Sequence, residues 1–227
     1  MCTFSTKGKT ISIFPSLEAT APIIYLNTVS GEGQKVFKEA QAVGCPPFTL
    51  IAVSGLDWNH DMAPWDSPAA FKKGEPFTSG ADDYLRLLVE EIIPRAEKEL
   101  VGPPAWRGIA GYSLAGLFAL YAFVSSGEFS ACACLSGSVW YKGWVDHLRA
   151  LDFDAKGRFA YFTVGNKERK SRNRVFRTVE DDMAACADIV RANGGTADFL
   201  VGNGDHLHHI PERYSAGLHA LDSFLAR

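Results

Sequence analysis

The sequence predicts an α/β fold built on a doubly wound, mostly parallel sheet with helices on both faces. Two observations carry that expectation. Short apolar runs of strand type alternate with longer stretches of helical period, the order that arises when parallel strands are joined by crossover helices. The 227 residues are 47% hydrophobic and 22% charged, which supplies apolar side chains for a covered sheet and charge for a solvated surface. A chain of this length fits one unit, so 1–227 is read as a single domain.

Strands are expected at 10–14, 22–26, 48–54, 106–112, 130–135, 159–164 and 197–201. The segment 55–80 after the third of these is rich in Trp, Pro and Gly and long for a connection, and so is expected to shape the mouth of a site. A helix follows, with Ser79 as its cap and Asp82 completing a capping box. Leu85, Leu88, Ile92 and Ala96 mark its buried face, and Pro94 should break or kink it by removing a donor and crowding the preceding turn. Further helices are expected at 117–123 and at 176–192, the latter with Phe176, Val179, Met183, Cys186 and Val190 along one side. The last starts near Pro211 and docks Tyr214, Leu218, Leu221 and Leu225 on the sheet.

Charge and composition exclude several classes. The 23 basic and 26 acidic residues leave a net charge of −3, too weak a field to draw the chain to nucleic acid or an anionic membrane. No segment approaches the roughly 20 apolar residues that span a bilayer, and the N-terminal sequence lacks the apolar core of a secretory signal. A cytoplasmic location is expected. Cys132 and Cys134, two apart in one strand, are poorly placed for a mutual bridge, so the five cysteines read as free thiols.

The chemistry is concentrated at Gly111-Tyr112-Ser113-Leu114-Ala115-Gly116, where an apolar strand runs into a helix. That is the context of a nucleophile elbow, a tight turn that needs small residues two before and two after the serine. Gly111 and Ala115 meet the need, Ala115 standing where the strict G-x-S-x-G form has glycine. The competing reading is a plain serine helix cap. A hydroxyl is a weak nucleophile without a base, so Ser113 requires a histidine later in the chain. The loop before the last helix offers His206, His208 and His209, of which His206 follows the Gly202-Asn203-Gly204-Asp205 turn most closely and is best placed to reach Ser113. His147 and His219 fall within helices. The order D-H-L-H-H matches neither HxHxDH nor HExxH, so no metal or cofactor is expected.

Glu168, beyond a glycine turn at the carboxyl end of an apolar strand, is the candidate acid that orients the histidine, with Asp205 and Asp182 as weaker alternatives. The oxyanion of the tetrahedral intermediate needs fixed donors. The backbone amide of Leu114 is one candidate, and that of Leu56 or Gly55, after the strand at 48–54, is the other. Trp58, Trp65 and Trp140 are candidate pocket walls, and the six basic residues between Lys167 and Arg177 could attract an anionic substrate.

At these residues the chain resembles the putative esterase family of the α/β-hydrolase superfamily, which includes enterobactin (enterochelin) esterases and esterase D-type hydrolases. The resemblance rests on G-Y-S-L-A-G at 111–116, Gly55-Leu-Asp-Trp58 with Ala63-Pro-Trp65, Glu90-Glu-Ile-Ile-Pro94, Leu135-Ser-Gly-Ser-Val-Trp140, Gly165-Asn-Lys-Glu168 and Gly204-Asp205-His206-Leu207. The last of these selects His206 over its neighbours. The resemblance implies a serine nucleophile, no metal, and small carboxylic esters as substrates, siderophore esters among them. Two other readings remain open at this point: acyl transfer at the same site, and an inactive hydrolase-fold protein that binds a ligand or partner.

Overall fold

The computed structural model describes residues 1–225. An N-terminal hairpin, β1 (Cys2–Thr6) and β2 (Lys9–Phe14), turns through Lys7 and Gly8, both at positive φ. It is followed by β3 (Ile23–Asn27), α1 (Gly33–Ala42), β4 (Thr49–Ser54), the short α2 (Trp58–Asp61) and α3 (Ala81–Leu87). A π-helical turn at Leu88–Ile92 joins α3 to α4 (Ile93–Glu97). Then come β5 (Arg107–Tyr112), α5 (Leu114–Ser125), β6 (Ala131–Leu135), α6 (Trp144–Ala150), β7 (Phe159–Gly165), α7 (Val179–Ala192), β8 (Thr196–Gly202) and α8 (Ile210–Leu225).

The eight strands form one sheet in the order β1-β2-β4-β3-β5-β6-β7-β8. β2 runs antiparallel to β1 and β4, and the remaining neighbours are parallel, so the expected mostly parallel α/β sheet is the observed one. Its two faces carry separate apolar layers. Leu88, Ile92, Leu117, Phe118 and Met183 of the π turn, α5 and α7 cover one. Val36 and Ala40 of α1 and Leu218 and Leu221 of α8 cover the other. Central β5 is buried from Gly108 to Tyr112, which explains a strand that reads as a continuous apolar run rather than an alternating one. Among the described residues no helix is long and apolar enough to cross a membrane.

Three local expectations need correction. The helix after 79 starts from Gly80, and Ser79 forms no capping box: its hydroxyl donates to the Pro64 carbonyl, while Asp82 accepts from the Tyr121 hydroxyl. Pro94 does not break the helix, because the wider π turn immediately before it absorbs the lost donor and relieves the ring's clash with the preceding turn. β1 and α1 had no counterpart among the expected elements. β1 is largely exposed and shows no apolar alternation, and α1 buries only Gly33, Val36 and Ala40, a stripe of three small or medium residues in an otherwise mostly polar segment. Tyr214, Leu218 and Leu221 are buried as expected; the Leu225 side chain lies outside the described residues.

Candidate active site

Ser113 stands between β5 and α5 with φ 59° and ψ −124°, a conformation that costs an L-residue on the order of 1–3 kcal/mol. The backbone around it holds this geometry from both sides. Its N–H donates to Leu135 O at 3.0 Å, and its carbonyl accepts from Gly116 N at 3.0 Å, Leu117 N at 3.2 Å and Ser138 N at 2.9 Å. The Ser113 side chain makes no cap bond to the helix, which removes the plain-cap reading. Gly111 is needed for steric reasons, since a Cβ there would lie 2.1 Å from the Ala115 carbonyl oxygen. Ala115 itself is fully buried. Gly111→Ala is expected to lower stability by about 1–3 kcal/mol or more, since backbone rather than a side-chain tip must move; chemical denaturation of wild type and variant checks it.

The structure brings Ser113, His206 and Glu168 onto one line. Ser113 Oγ lies 3.0 Å from His206 Nε2, and His206 Nδ1 lies 2.8 Å from Glu168 Oε2. A carboxylate facing Nδ1 fixes the proton there and leaves the Nε2 lone pair toward the serine. Glu168 begins a 3-10 turn just beyond β7 and its side chain is only 5% exposed. Its other oxygen, Oε1, accepts from Ser136 Oγ and Gly165 N, each at 2.8 Å. Burial alone would raise the carboxyl's pKa, but the His206 bond, the Gly165 N–H, the His206 charge and the Ser136 hydroxyl together bring it below the ordinary value.

The other candidates sit apart from this line. His208 pairs with Asp205 at 2.7 Å and His209 with Glu212 at 3.4 Å, both exposed. His147 packs on Trp65 and Trp144, and His219 meets Ser223. Asp182 lies in α7. Among the described residues no cluster of His, Cys, Asp or Glu has the arrangement of a metal site.

A cavity of about 730 Å³ opens over Ser113, Leu114 and His206. The expected walls divide. Trp58 and Trp140 line it together with Phe71, Phe77 and Phe176, whereas Trp65 packs on Trp144 and donates its indole N–H to Lys142 O. Much of the 55–80 segment forms the rim, as expected of it. From the basic run, Lys167 and Lys170 reach the cavity, while Arg169 pairs with Glu180.

Leu56 is not among the residues that line this cavity; its side chain packs against the core. The reason is topological. Leu56 follows β4, which β3 separates from β5, whereas Asn27 at the end of β3 pairs directly with Gly111 of β5.

The family model described as "Putative esterase" matches residues 31–198. The chain belongs to that family. This esterase is thus a carboxylic-ester hydrolase by membership. Among solved structures it is similar to the siderophore hydrolase EstA from Aspergillus nidulans, with TM-score 0.76 and 19% identity over 98% of this chain and 93% of that one. It is also similar to an IroE-like serine hydrolase from Shewanella oneidensis, with TM-score 0.73 and 18% identity over 96% of this chain and 78% of that one. For the enterobactin esterase FES from Shigella flexneri the values are 0.72 and 16%, over 98% and 58%. These likenesses show the α/β-hydrolase fold. A search of curated proteins found no match. The matched segment of the esterase contains Ser113 and Glu168 but ends before His206, whose place in the site rests on geometry.

Residues that sequence reasoning missed lie behind the acid. Ser136, Tyr112 and Arg213 form a buried polar layer around Glu168, joined by bonds of 2.6–3.3 Å. Tyr112 occupies the variable position of the elbow motif, and Arg213 looks like a surface charge in an amphipathic helix. Only its 5% exposure reveals otherwise.

Proposed function

We propose that residues 1–227 act as one serine-esterase domain in which Ser113 is the nucleophile, His206 the general base and Glu168 the orienting acid. The observation that carries this reading is the unbroken hydrogen-bonded line of 3.0 Å and 2.8 Å from Ser113 Oγ through the imidazole to Glu168. Ser113 Oγ attacks the ester carbonyl as His206 Nε2 takes its proton, and Glu168 stabilises the imidazolium. Collapse of the tetrahedral intermediate expels the alcohol, protonated by His206, and leaves an acyl-Ser113. Water, activated by the same histidine, releases the acid. The Leu114 amide at the start of α5 is one oxyanion donor. The second comes from a backbone amide of the loop after β3 in place of Leu56, since Asn27 at the end of β3 pairs with Gly111 of the elbow strand.

The cavity supports small esters with an aromatic acyl part and negative charge. Five aromatic side chains line it, and Lys167 and Lys170 stand at it as cations without a described ion pair. EstA is named as a siderophore hydrolase, and a siderophore ester would meet those requirements. The test is hydrolysis of a panel of neutral and carboxylated aryl esters and a catecholate trilactone by wild type, Ser113→Ala and His206→Ala, with added alcohol or thiol acceptors to separate hydrolysis from acyl transfer. Turnover by wild type and its loss in both variants support the reading; an inert wild type or an active Ser113→Ala contradicts it. Lys170→Glu should raise KM for carboxylated esters about 10-fold while leaving neutral esters nearly unchanged.

A further inference from the structure

We propose that Arg213 is a positioning residue of this esterase, clamping the histidine loop to the acid so that the His206 ring stays on the line between Ser113 and Glu168. The inference rests on the catalytic roles proposed above and adds to them a residue that touches no substrate.

The loop at 203–206 is rich in turn-forming residues, and a chain of this kind left in solvent would wander. Here every carbonyl from 202 to 206 accepts a hydrogen bond. Gly202 O accepts from Asn166 N at 2.8 Å and Gly204 O from Lys167 N at 3.0 Å, which fastens the loop to the segment that carries Glu168. Asn203 O accepts from Arg213 Nη2 at 3.0 Å, Asp205 O from Arg213 Nη1 at 3.1 Å, and His206 O from the Tyr112 hydroxyl at 2.7 Å. The same Arg213 Nη1, whose two N–H groups are shared among these acceptors, also lies 2.6 Å from the Tyr112 hydroxyl, 3.0 Å from Ser136 Oγ and 3.3 Å from Glu168 Oε1. One buried guanidinium therefore joins both ends of the His206 turn, the acid, the serine hydroxyl that steadies the acid, and the elbow tyrosine.

The fit is specific to arginine. Its planar fork presents donors in two directions at fixed separation, whereas a lysine would bring one point charge. Space is also reserved for it: a Cβ on Gly165 would lie 2.3 Å from Gly204 O and 2.4 Å from Arg213 Nη2, so the glycine after the β7 apolar run allows loop and guanidinium to close on the strand end. Misplacement of a catalytic group by about 1 Å can cost on the order of 100-fold in rate, and the imidazole swings with the loop that carries it.

The experiment measures kcat, KM and the rate of inactivation by a fluorophosphonate probe for Arg213→Met, Arg213→Lys and Tyr112→Phe, with Ser113→Ala as reference and circular dichroism as the check on folding. We expect kcat and probe reactivity of Arg213→Met to fall together, on the order of 10–100-fold, with KM within about threefold of wild type. Arg213→Lys should resemble Arg213→Met, and Tyr112→Phe should lose about 3–10-fold in kcat. If Arg213→Met does not fold, Arg213→Lys and Tyr112→Phe carry the test. Wild-type kcat in folded variants, a loss confined to KM, or full rescue by lysine would overturn the clamp. An inactive Ser113→Ala alongside unimpaired Arg213 variants defeats this inference alone, whereas an active Ser113→Ala defeats the catalytic reading beneath it.

Discussion

Ser113→Ala is expected to lower kcat on the order of 10⁵–10⁶-fold, the loss seen when the nucleophile of such a unit is removed, while the protein melts within a few degrees of wild type. The two halves of that result have separate causes. The Oγ is the atom that forms the acyl bond, and a neighbouring hydroxyl cannot substitute because the elbow aims only this one at His206 Nε2. The same Oγ makes no helix-cap bond, and the backbone bonds that hold the strained turn involve only the N–H and C=O that alanine keeps. Steady-state kinetics and a thermal melt read the two halves independently. A large loss of stability would mean that Ser113 is structural after all.

Glu168→Gln is expected to reduce kcat on the order of 10³–10⁴-fold. A glutamine amide can turn its NH₂ toward His206 Nδ1, which moves the imidazole proton to Nε2 and leaves no lone pair facing Ser113. It also withdraws the negative charge that stabilises the imidazolium and faces the Arg213 guanidinium at 3.3 Å. Stability should change with pH in a defined direction. The folded pKa of Glu168 lies below its ordinary 4.5, so its ionised form contributes stability that is fully present above 4.5 and is lost as pH falls through the lower folded value. Urea denaturation between pH 3 and 7 should therefore show a steeper acid loss in wild type than in Glu168→Gln. Identical pH dependence would contradict the assigned ionisation.

What the sequence revealed and what it hid follow one rule. Signals confined to a few consecutive residues were legible: the small residues around Ser113, the acid just past the β7 apolar run, the histidine between the last strand and the last helix. So was the alternation of strands and helices that yields the mostly parallel sheet. Features that depend on distant pieces meeting were not. Arg213 lies 101 positions from Tyr112, 77 from Ser136 and 45 from Glu168, and no local pattern marks it as a buried cation. The distance of Leu56 from the elbow strand was hidden because chain order and sheet order differ, β3 standing between β4 and β5. The turn at 202–205 reads as flexible from its glycines, yet its carbonyls are bonded by donors from α8 and the segment after β7. Ser79 had the residues of a capping box, but tertiary contacts to Pro64 and Tyr121 took both partners.

The central claim is that a covalent acyl-enzyme forms on Ser113, and the direct measurement is intact-mass and peptide-mapping spectrometry of the wild-type protein after treatment with a fluorophosphonate and, separately, with a slowly deacylating aryl ester. The account predicts a single adduct on the peptide that contains Ser113, its loss in Ser113→Ala, and much slower formation in His206→Ala. An adduct on another residue, or ester turnover with Ser113 unmodified and replaceable, would contradict it.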